Sequence, residues 1–296
     1  LVQSGLIQAL CLQLGFVLNR SVLVESESDQ IALVCQTIDS SLVKCRDLIR
    51  IDTFAQIGNE LLRLLERAWK RINIDSRVLS IWKMFSASPE GAIKIIQSSD
   101  FVNVISFSFE HDGLPSFVKD DTTSVIHNIS HFAEEYRSLL LEHVSRLVSS
   151  LRISNLSELS SEKISASFRN LSLHPTNRLA MAEHFSVLNV LVQLCTRESQ
   201  NVKTLRNVVS TLGNLSLDYN SCMLLLFHGD GVILTMLLHL LTKSDDEVVR
   251  RRSARALRLI ARDRIVPLLV QSTDILDRLR DAALKDKNIG VRDEAT

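Results

Sequence analysis

Two short phrases recur in this chain at a fixed distance, and they constrain its fold more than any other feature. Residues 168–172 read Phe-Arg-Asn-Leu-Ser and residues 212–216 read Leu-Gly-Asn-Leu-Ser, 44 positions later. The segment between them holds a polar turn, two apolar stretches of helical length and a polar loop. A unit of this size with three helices cannot bury its apolar face alone, so successive units must stack to form a core. The sequence therefore predicts a helical repeat protein.

The same phrase, in variant forms, marks the predicted end of a helix at five points, and we call it the marker. Its forms are Met84-Phe85-Ser86, Asn128-Ile129-Ser130, Asn170-Leu171-Ser172, Asn214-Leu215-Ser216 and Leu259-Ile260-Ala261, spaced by 44, 42, 44 and 45 residues. Polar turns that supply N-cap residues follow the markers. The third helix of each unit is therefore expected to end at a marker, giving helices at about 75–86, 122–130, 162–173, 202–217 and 247–262. Leu171, Leu215 and Ile260 of the markers are expected to be buried between neighbouring units.

The periodicity predicts one continuous repeat array over residues 1–296. The expected units are 1–24 (partial), 25–68, 69–110, 111–153, 154–197, 198–243, 244–287 and 288–296 (partial). The sequence opens and closes within helical segments that lack the polar outer face of a capping unit. We therefore interpret it as a fragment of a longer chain.

The composition favours an all-α fold and limits the partners. The chain is 46% hydrophobic with 9 Gly and 4 Pro, too few turn formers for an all-β fold. Its 34 basic and 34 acidic residues balance, so no net charge attracts nucleic acid or anionic membranes. Five cysteines without a Cys-x-x-Cys motif indicate neither a disulfide framework nor a zinc site. These features favour a cytoplasmic or nuclear protein.

The first 19 residues are uncharged, but they do not have the features of a signal peptide or a membrane anchor. No basic segment precedes the apolar part, and Gln3, Gln8 and Gln13 interrupt it. We interpret this segment as the end of a repeat and predict no membrane span.

A third helix ending in Asn-Leu-Ser or a variant, then a charged turn and a Gly-containing junction before the second helix, resembles the armadillo-repeat family. Residues 214–241 show this pattern well, and the resemblance covers nearly the whole chain. It implies an all-α, right-handed superhelical solenoid of about six three-helix repeats. HEAT repeats are the closest structural alternative.

The resemblance implies that the third helices line a concave groove, with Asn128, Asn170 and Asn214 along it. An amide offers a donor and an acceptor together, so such a row can pair with the backbone of an extended peptide. The alternative is that these residues cap or cross-link neighbouring helices.

The chain departs from the importin-α group of that family. In that group a Trp stands four residues before the groove Asn, whereas these positions here hold Ser124, Ala166 and Ser210. Without aromatic slots for lysine stems, binding of nuclear localisation signals in that manner is disfavoured.

Basic residues recur on the predicted groove face. The position before the first residue of each marker holds Lys83, His127, Arg169, Gly213 and Arg258. On the last third helix, four arginines follow at i, i+4, i+7 and i+11, which places them on one helical face. They are Arg251, Arg255, Arg258 and Arg262.

Arginine binds carboxylates and phosphates through its planar fork, so this face predicts a groove for an acidic or phosphorylated segment of a protein partner. The alternative is a solvated face that Asp245, Asp246, Glu247 and Asp263 partly neutralise. Neither a nucleic acid as the main ligand nor a small molecule is expected.

Enzyme signatures are absent from the sequence. It contains no phosphate-binding Gly-rich loop, no G-x-S-x-G, no H-E-x-x-H and no Cys/His cluster. His127 and His131 lie four residues apart but lack an evident third ligand. We therefore expect no catalytic residue, no cofactor and no metal site.

The expected function is a non-enzymatic protein-interaction scaffold. Two alternatives stay open. One is a subunit-docking surface in a large chromatin or ciliary assembly, and the other is regulation of a small GTPase as an exchange factor, which some armadillo proteins perform.

Overall fold

The computed structural model describes Thr37 and residues 76–98, 101–110, 114–150, 156–197, 201–261 and 273–295. The regular structure of these residues consists of α-helices and short 3₁₀ turns, without a β-strand among them. The predicted all-α class is confirmed. The chain divides into two compact units, Leu1–Tyr136 and Arg137–Thr296, which are described one at a time. The division of the whole chain into the repeats given above stays a prediction.

The described part of the first unit contains four α-helices. They are α1 (Ser76–Ser86), α2 (Pro89–Ile96), α3 (Phe101–Glu110) and α4 (Ser116–Phe132), followed by a 3₁₀ turn at Glu134–Tyr136. Helices α1 and α4 are successive third helices that pack against each other, and α2 packs against both. Trp82 of α1 is fully buried and stacks on Phe101 of α3, with ring centroids 6.5 Å apart.

The described part of the second unit contains ten helices and one 3₁₀ turn. They are α5 (Arg137–Ser150), α6 (Glu158–Ser172), α7 (Pro175–Glu183), α8 (Phe185–Arg197), α9 (Val202–Leu215), α10 (Tyr219–Phe227), a 3₁₀ turn (His228–Gly231), α11 (Val232–Lys243), α12 (Glu247–Ile260), α13 (Thr273–Lys285) and α14 (Ile289–Ala295). Helices α6, α9, α12 and α14 form a layer in which each packs against the next. Helices α6, α9 and α12 of this layer correspond to the third helices predicted at about 162–173, 202–217 and 247–262.

The central apolar residue of the marker is a core residue. Leu171 and Leu215 are fully buried, and Ile260 is 1% exposed. The prediction that these three residues are buried is confirmed. Each apolar side chain removed from water contributes roughly 1.5–3 kcal/mol, so the recurrence of the marker has an energetic reason.

Two third helices begin earlier than the sequence predicts. Helix α4 starts at Ser116 rather than near residue 122, directly after Pro115, and α6 starts at Glu158 rather than near residue 162. Ser157 caps α6, because its side chain accepts a hydrogen bond of 3.0 Å from the amide of Ser160. Ser160 and Ser161, which precede the predicted start, therefore lie inside the helix.

Two apolar stretches in the described residues are long enough to cross a membrane. One is Tyr219–Lys243, with mean hydropathy 1.8, and the other is the pair α7 and α8, which is bent by 87°. In the first, Gly229, Asp230 and Gly231 all have positive φ and separate α10 from α11. Their apolar side chains are core residues, as fully buried Leu225 and Leu237 show. Core packing is a sufficient reason for the apolar composition.

Candidate partner-binding surface

The marker forms a link between neighbouring third helices. Asn214 of α9 donates from Nδ2 to Oγ of Ser172 at the end of α6, over 2.9 Å. In the first unit, Asn128 of α4 donates in the same way to Ser86 of α1, also over 2.9 Å. In both pairs, the Asn of one marker donates a hydrogen bond to the Ser of the preceding marker.

The serine of this link is held in place by its own helix. Oγ of Ser86 donates to the carbonyl of Lys83 over 2.9 Å, and Oγ of Ser172 donates to the carbonyl of Arg169 over 2.7 Å. Each hydroxyl therefore donates within its helix and accepts across the repeat boundary. Both serines are fully buried, so an unmade bond at this point would be costly.

Replacing Asn214 by alanine should therefore lower the free energy of unfolding by about 0.5–1.5 kcal/mol, since one neutral hydrogen bond is lost and Ser172 still donates to its own helix. Urea unfolding followed by circular dichroism measures the change. Asn220→Ala is the control, because Asn220 is exposed and makes no hydrogen bond with the described residues. An equal shift in the two variants would show that the link does not stabilise the stack.

The three predicted groove amides are not equivalent. Asn128 and Asn214 are partly exposed, and their Oδ1 atoms accept no hydrogen bond from the described residues. Asn170 is 4% exposed, and its Oδ1 accepts from Nη2 of Arg169 over 3.2 Å. The amide nitrogens of Asn128 and Asn214 therefore cross-link helices, while their carbonyl oxygens stay available to a partner.

Three members of the predicted basic column reach forward to the next third helix. Nζ of Lys83 lies 2.7 Å from Oδ1 of Asp121, and Nη1 of Arg169 donates to Oδ1 of Asn207 over 3.0 Å. Nη2 of Arg258 lies 2.7 Å from Oε2 of Glu294, as an ion pair without good hydrogen-bond alignment. Lys83 and Arg258 are neutralised within their own units, whereas Arg169 contacts only neutral amides.

The predicted arginine stripe is only partly neutralised. Arg251, Arg255 and Arg258 are all exposed on α12, and Arg262 lies outside the described residues. Arg258 has its partner on α14, but within the described residues no carboxylate forms an ion pair with Arg251 or Arg255. Two guanidinium groups of the stripe are therefore exposed and form no ion pair with the residues that the structure describes.

Arg206 and Asp246 form a two-point contact between α9 and the start of α12. Nε and Nη2 of Arg206 bind the two carboxylate oxygens of Asp246 over 3.1 and 2.6 Å. Asp246 also caps α12 by accepting from the amide of Val249 over 2.8 Å. The hydrogen bond from Arg206 is the main cause of the lowered pKa of Asp246.

The sequence did not single out Arg252, which the structure places over α9. Its Nη1 donates to the carbonyl of Arg206 over 3.0 Å and to Oγ of Ser210 over 2.6 Å. Burial lowers the pKa of Arg252, and the nearby charges of Arg169, Arg206 and Arg251 lower it further. A signal was available, because Arg252 follows Ser210 by 42 residues, the interval between Asn214 and Ser172.

The described histidines and cysteines include one stacked histidine pair and two buried thiols. His127 and His131 stack with ring centroids 6.4 Å apart, and the described residues include no group of three or more potential metal ligands. Cys195 and Cys222 are free and buried. Burial raises the pKa of Cys195 to about 12, so its thiol stays protonated at neutral pH.

Solved structures with the same architecture include designed armadillo repeat proteins. A designed armadillo repeat protein in complex with the peptide (KR)4 matches with a TM-score of 0.61 and 17% identity, over 80% of this chain and 95% of that one. An engineered protein matches with a TM-score of 0.63 and 17% identity, over 97% of this chain and 76% of the other.

A third structure comes from work on a conserved phosphorylation switch that controls the interaction between cadherin and β-catenin. It matches with a TM-score of 0.60 and 15% identity, over 93% of this chain and 49% of that one. No protein-family model and no curated protein sequence matches the chain. At such low identity the likeness is one of architecture, and it agrees with the resemblance seen in the repeats. The chain therefore has the armadillo-repeat fold.

Proposed function

We propose that this chain is a non-enzymatic interaction scaffold, and that its third helices bind an extended, net-acidic or phosphorylated segment of a protein partner. The observation that carries the proposal is the exposed pair Arg251 and Arg255 on α12, which has no carboxylate partner among the described residues. A desolvated partner carboxylate would form charge-assisted hydrogen bonds with such groups, each stabilising by about 1.5–3 kcal/mol.

The distribution of acids around α12 supports this proposal. Asp246, Asp286 and Glu294 bind Arg206, Arg250 and Arg258, respectively. Within the part of the chain that the structure describes, Arg251 and Arg255 form no ion pair with these or with other carboxylates. The alternative of a solvated, partly neutralised face is decided by the binding experiment below.

A similar structure supports a peptide-binding role, but we propose a partner of the opposite charge to the peptide in that structure. The designed armadillo protein is in complex with a basic peptide, (KR)4, whereas the surface described here is basic. A basic surface selects an acidic segment, because complementary charge favours association and like charge opposes it. The subunit-docking and GTPase-regulator alternatives rest on the resemblance alone. A cytoplasmic or nuclear location is likewise part of the proposal, from the pattern of cysteines.

The test uses fluorescently labelled octaglutamate as the probe and octalysine as the opposite charge. Octaglutamate should bind, and its affinity should fall as the salt concentration rises, because exposed charges are screened over about 8–10 Å at physiological ionic strength. Arg251→Glu with Arg255→Glu should weaken binding at least about tenfold, equivalent to about 1.4 kcal/mol. Arg258 is left unchanged because its reversal would place Glu against Glu294.

The control is the pair Arg280→Glu with Lys285→Glu on α13, which changes the net charge equally. Both residues are exposed, and Lys285 pairs only with Asp281 of the same helix. If both double variants lower the affinity for octaglutamate equally, the effect is one of net charge and the groove proposal is wrong. Unchanged affinity in the α12 variant would contradict it as well.

A further inference from the structure

Two arginines from different third helices converge on one turn of α9. Arg169 of α6 donates to Oδ1 of Asn207, and Arg252 of α12 donates to Oγ of Ser210. Asn207 and Ser210 are three residues apart on α9, and side chains at this spacing are neighbours with about 5–6 Å between Cβ atoms. The two guanidinium groups are therefore held over the same turn from opposite sides.

We infer that the guanidinium groups of Arg169 and Arg252 form a subsite for the phosphoryl group of a phosphoserine or phosphothreonine in the partner segment. This inference rests on the proposed function, because it assigns one position of the same surface. It goes further by separating a phosphorylated segment from one that is merely rich in carboxylates.

Both guanidinium groups keep donors for an external anion. Arg252 uses two donor contacts, both from Nη1, and Arg169 uses two, one from each terminal nitrogen. The remaining N–H groups, including both Nε atoms, make no hydrogen bond with the described residues. Both side chains are partly exposed, so a ligand can reach them.

The amount of charge distinguishes a phosphoryl group from a carboxylate. Among the described residues no carboxylate forms an ion pair with Arg169 or Arg252, and the carboxylate that acts on Arg252 from nearby, Asp246, is bound to Arg206. A phosphorylated side chain brings about −1.5 to −2 charges and three acceptor oxygens at neutral pH. A single carboxylate neutralises only one of the two cations. The phosphoryl group therefore fits both the charge and the donors.

The contacts below the subsite hold the arginines in place before a ligand arrives. Nδ2 of Asn207 donates to Oγ of Ser165 on α6 over 3.2 Å, which fixes the amide that receives Arg169. Oγ of Ser210 donates to the carbonyl of Arg206, so its lone pairs face Arg252. A site whose side chains are already ordered loses less entropy when it binds. Burial, and then the charges of Arg169, Arg206 and Arg251, lower the pKa of Arg252, and a bound anion relieves the repulsion among these arginines.

The test compares three labelled peptides that share an octaglutamate frame and differ at the fifth residue, which is Glu, Ser or phosphoserine. The phosphoserine peptide should bind at least about tenfold tighter than octaglutamate, a difference of about 1.4 kcal/mol. Arg252→Gln and Arg169→Gln should each weaken binding of the phosphoserine peptide more than binding of octaglutamate, so that most of this preference is lost. Glutamine keeps a donor for the contact on α9, and thermal melts check that the variants fold. Arg280→Gln is the matched control and should keep the preference.

A second measurement needs no variant. In a titration of the wild-type protein with inorganic phosphate, the Nε–Hε resonances of Arg169 and Arg252 should shift, while that of Arg280 should not. Acetate at matched ionic strength should shift them far less.

The outcomes separate the two proposals. If octaglutamate binds but phosphoserine gives no advantage, or if the advantage survives in both glutamine variants, the phosphoryl subsite is wrong and the acidic groove stands. If phosphate and acetate shift the resonances equally, the subsite is likewise wrong. If none of the three peptides binds, both proposals fail.

Discussion

Leu215→Ala should lower the free energy of unfolding by about 2–5 kcal/mol, the range measured for removing a buried leucine side chain from a packed core. Leu215 is fully buried in the third-helix layer, so the surroundings cannot readily fill the space that alanine leaves. Urea unfolding monitored by circular dichroism gives the value, and the curves are fitted with a model of coupled units because repeat arrays unfold unit by unit.

Leu217→Ala is the matched control, because it removes the same atoms two residues further along. Leu217 is 37% exposed, and a change of about 0.5 kcal/mol or less is expected there. If the two variants lose similar stability, the assignment of the central marker residue to the core is wrong.

Gly91→Ala should lower the free energy of unfolding by about 3 kcal/mol, at the upper end of the cost of overpacking. A Cβ atom at Gly91 would lie 1.9 Å from the carbonyl oxygen of Phe85 and 2.7 Å from its carbon. Both atoms are backbone, so relief requires the end of α1 to move away from α2. The cap of α2 would move with it, because the amide of Gly91 donates to Oγ of Ser88 over 3.1 Å.

The same substitution at Gly213, Gly213→Ala, should raise the free energy of unfolding instead of lowering it. Gly213 is inside α9, and an added Cβ would have Ala256 as its nearest neighbour at 4.0 Å. Alanine is favoured over glycine in a helix by about 0.5–1 kcal/mol, so this variant should gain stability. The same unfolding experiment compares the two, and a loss at Gly213 comparable to that at Gly91 would contradict the packing described.

The period of the marker was sufficient to predict the fold class, the ends of most third helices and three buried residues. Those properties were predictable because the same residue pattern recurs at the same place in successive units. The starts of α4 and α6 were less predictable, since serine and threonine side chains inside a helix can bond to their own backbone. Oγ1 of Thr122, for example, donates to the carbonyl of Val118 over 2.7 Å.

The candidate surface was predictable in composition but not in pairing. The sequence identifies which side chains share a helical face, yet the partner of each cation lies about one repeat away. Lys83 pairs with Asp121 and Arg258 pairs with Glu294, and the sequence pattern predicted neither pair. Arg252 was missed for the related reason that it points towards the preceding third helix rather than along its own face. Contacts between units depend on the rotation of each helix, and a periodic pattern does not determine that rotation.

The boundary between α6 and α9 is bonded along its length, and this makes the surface stiff. Asn201 binds Glu158 near the start of the two helices over 2.8 Å, Asn207 binds Ser165 in the middle, and Asn214 binds Ser172 at the end. Three bonds distributed in this way resist both sliding and splaying of the two helices. The distance between their faces is therefore set before any partner arrives. The binding groups on the two helices would then lie at a fixed distance from each other. A partner segment would be selected by the interval between its charged residues as well as by its charge.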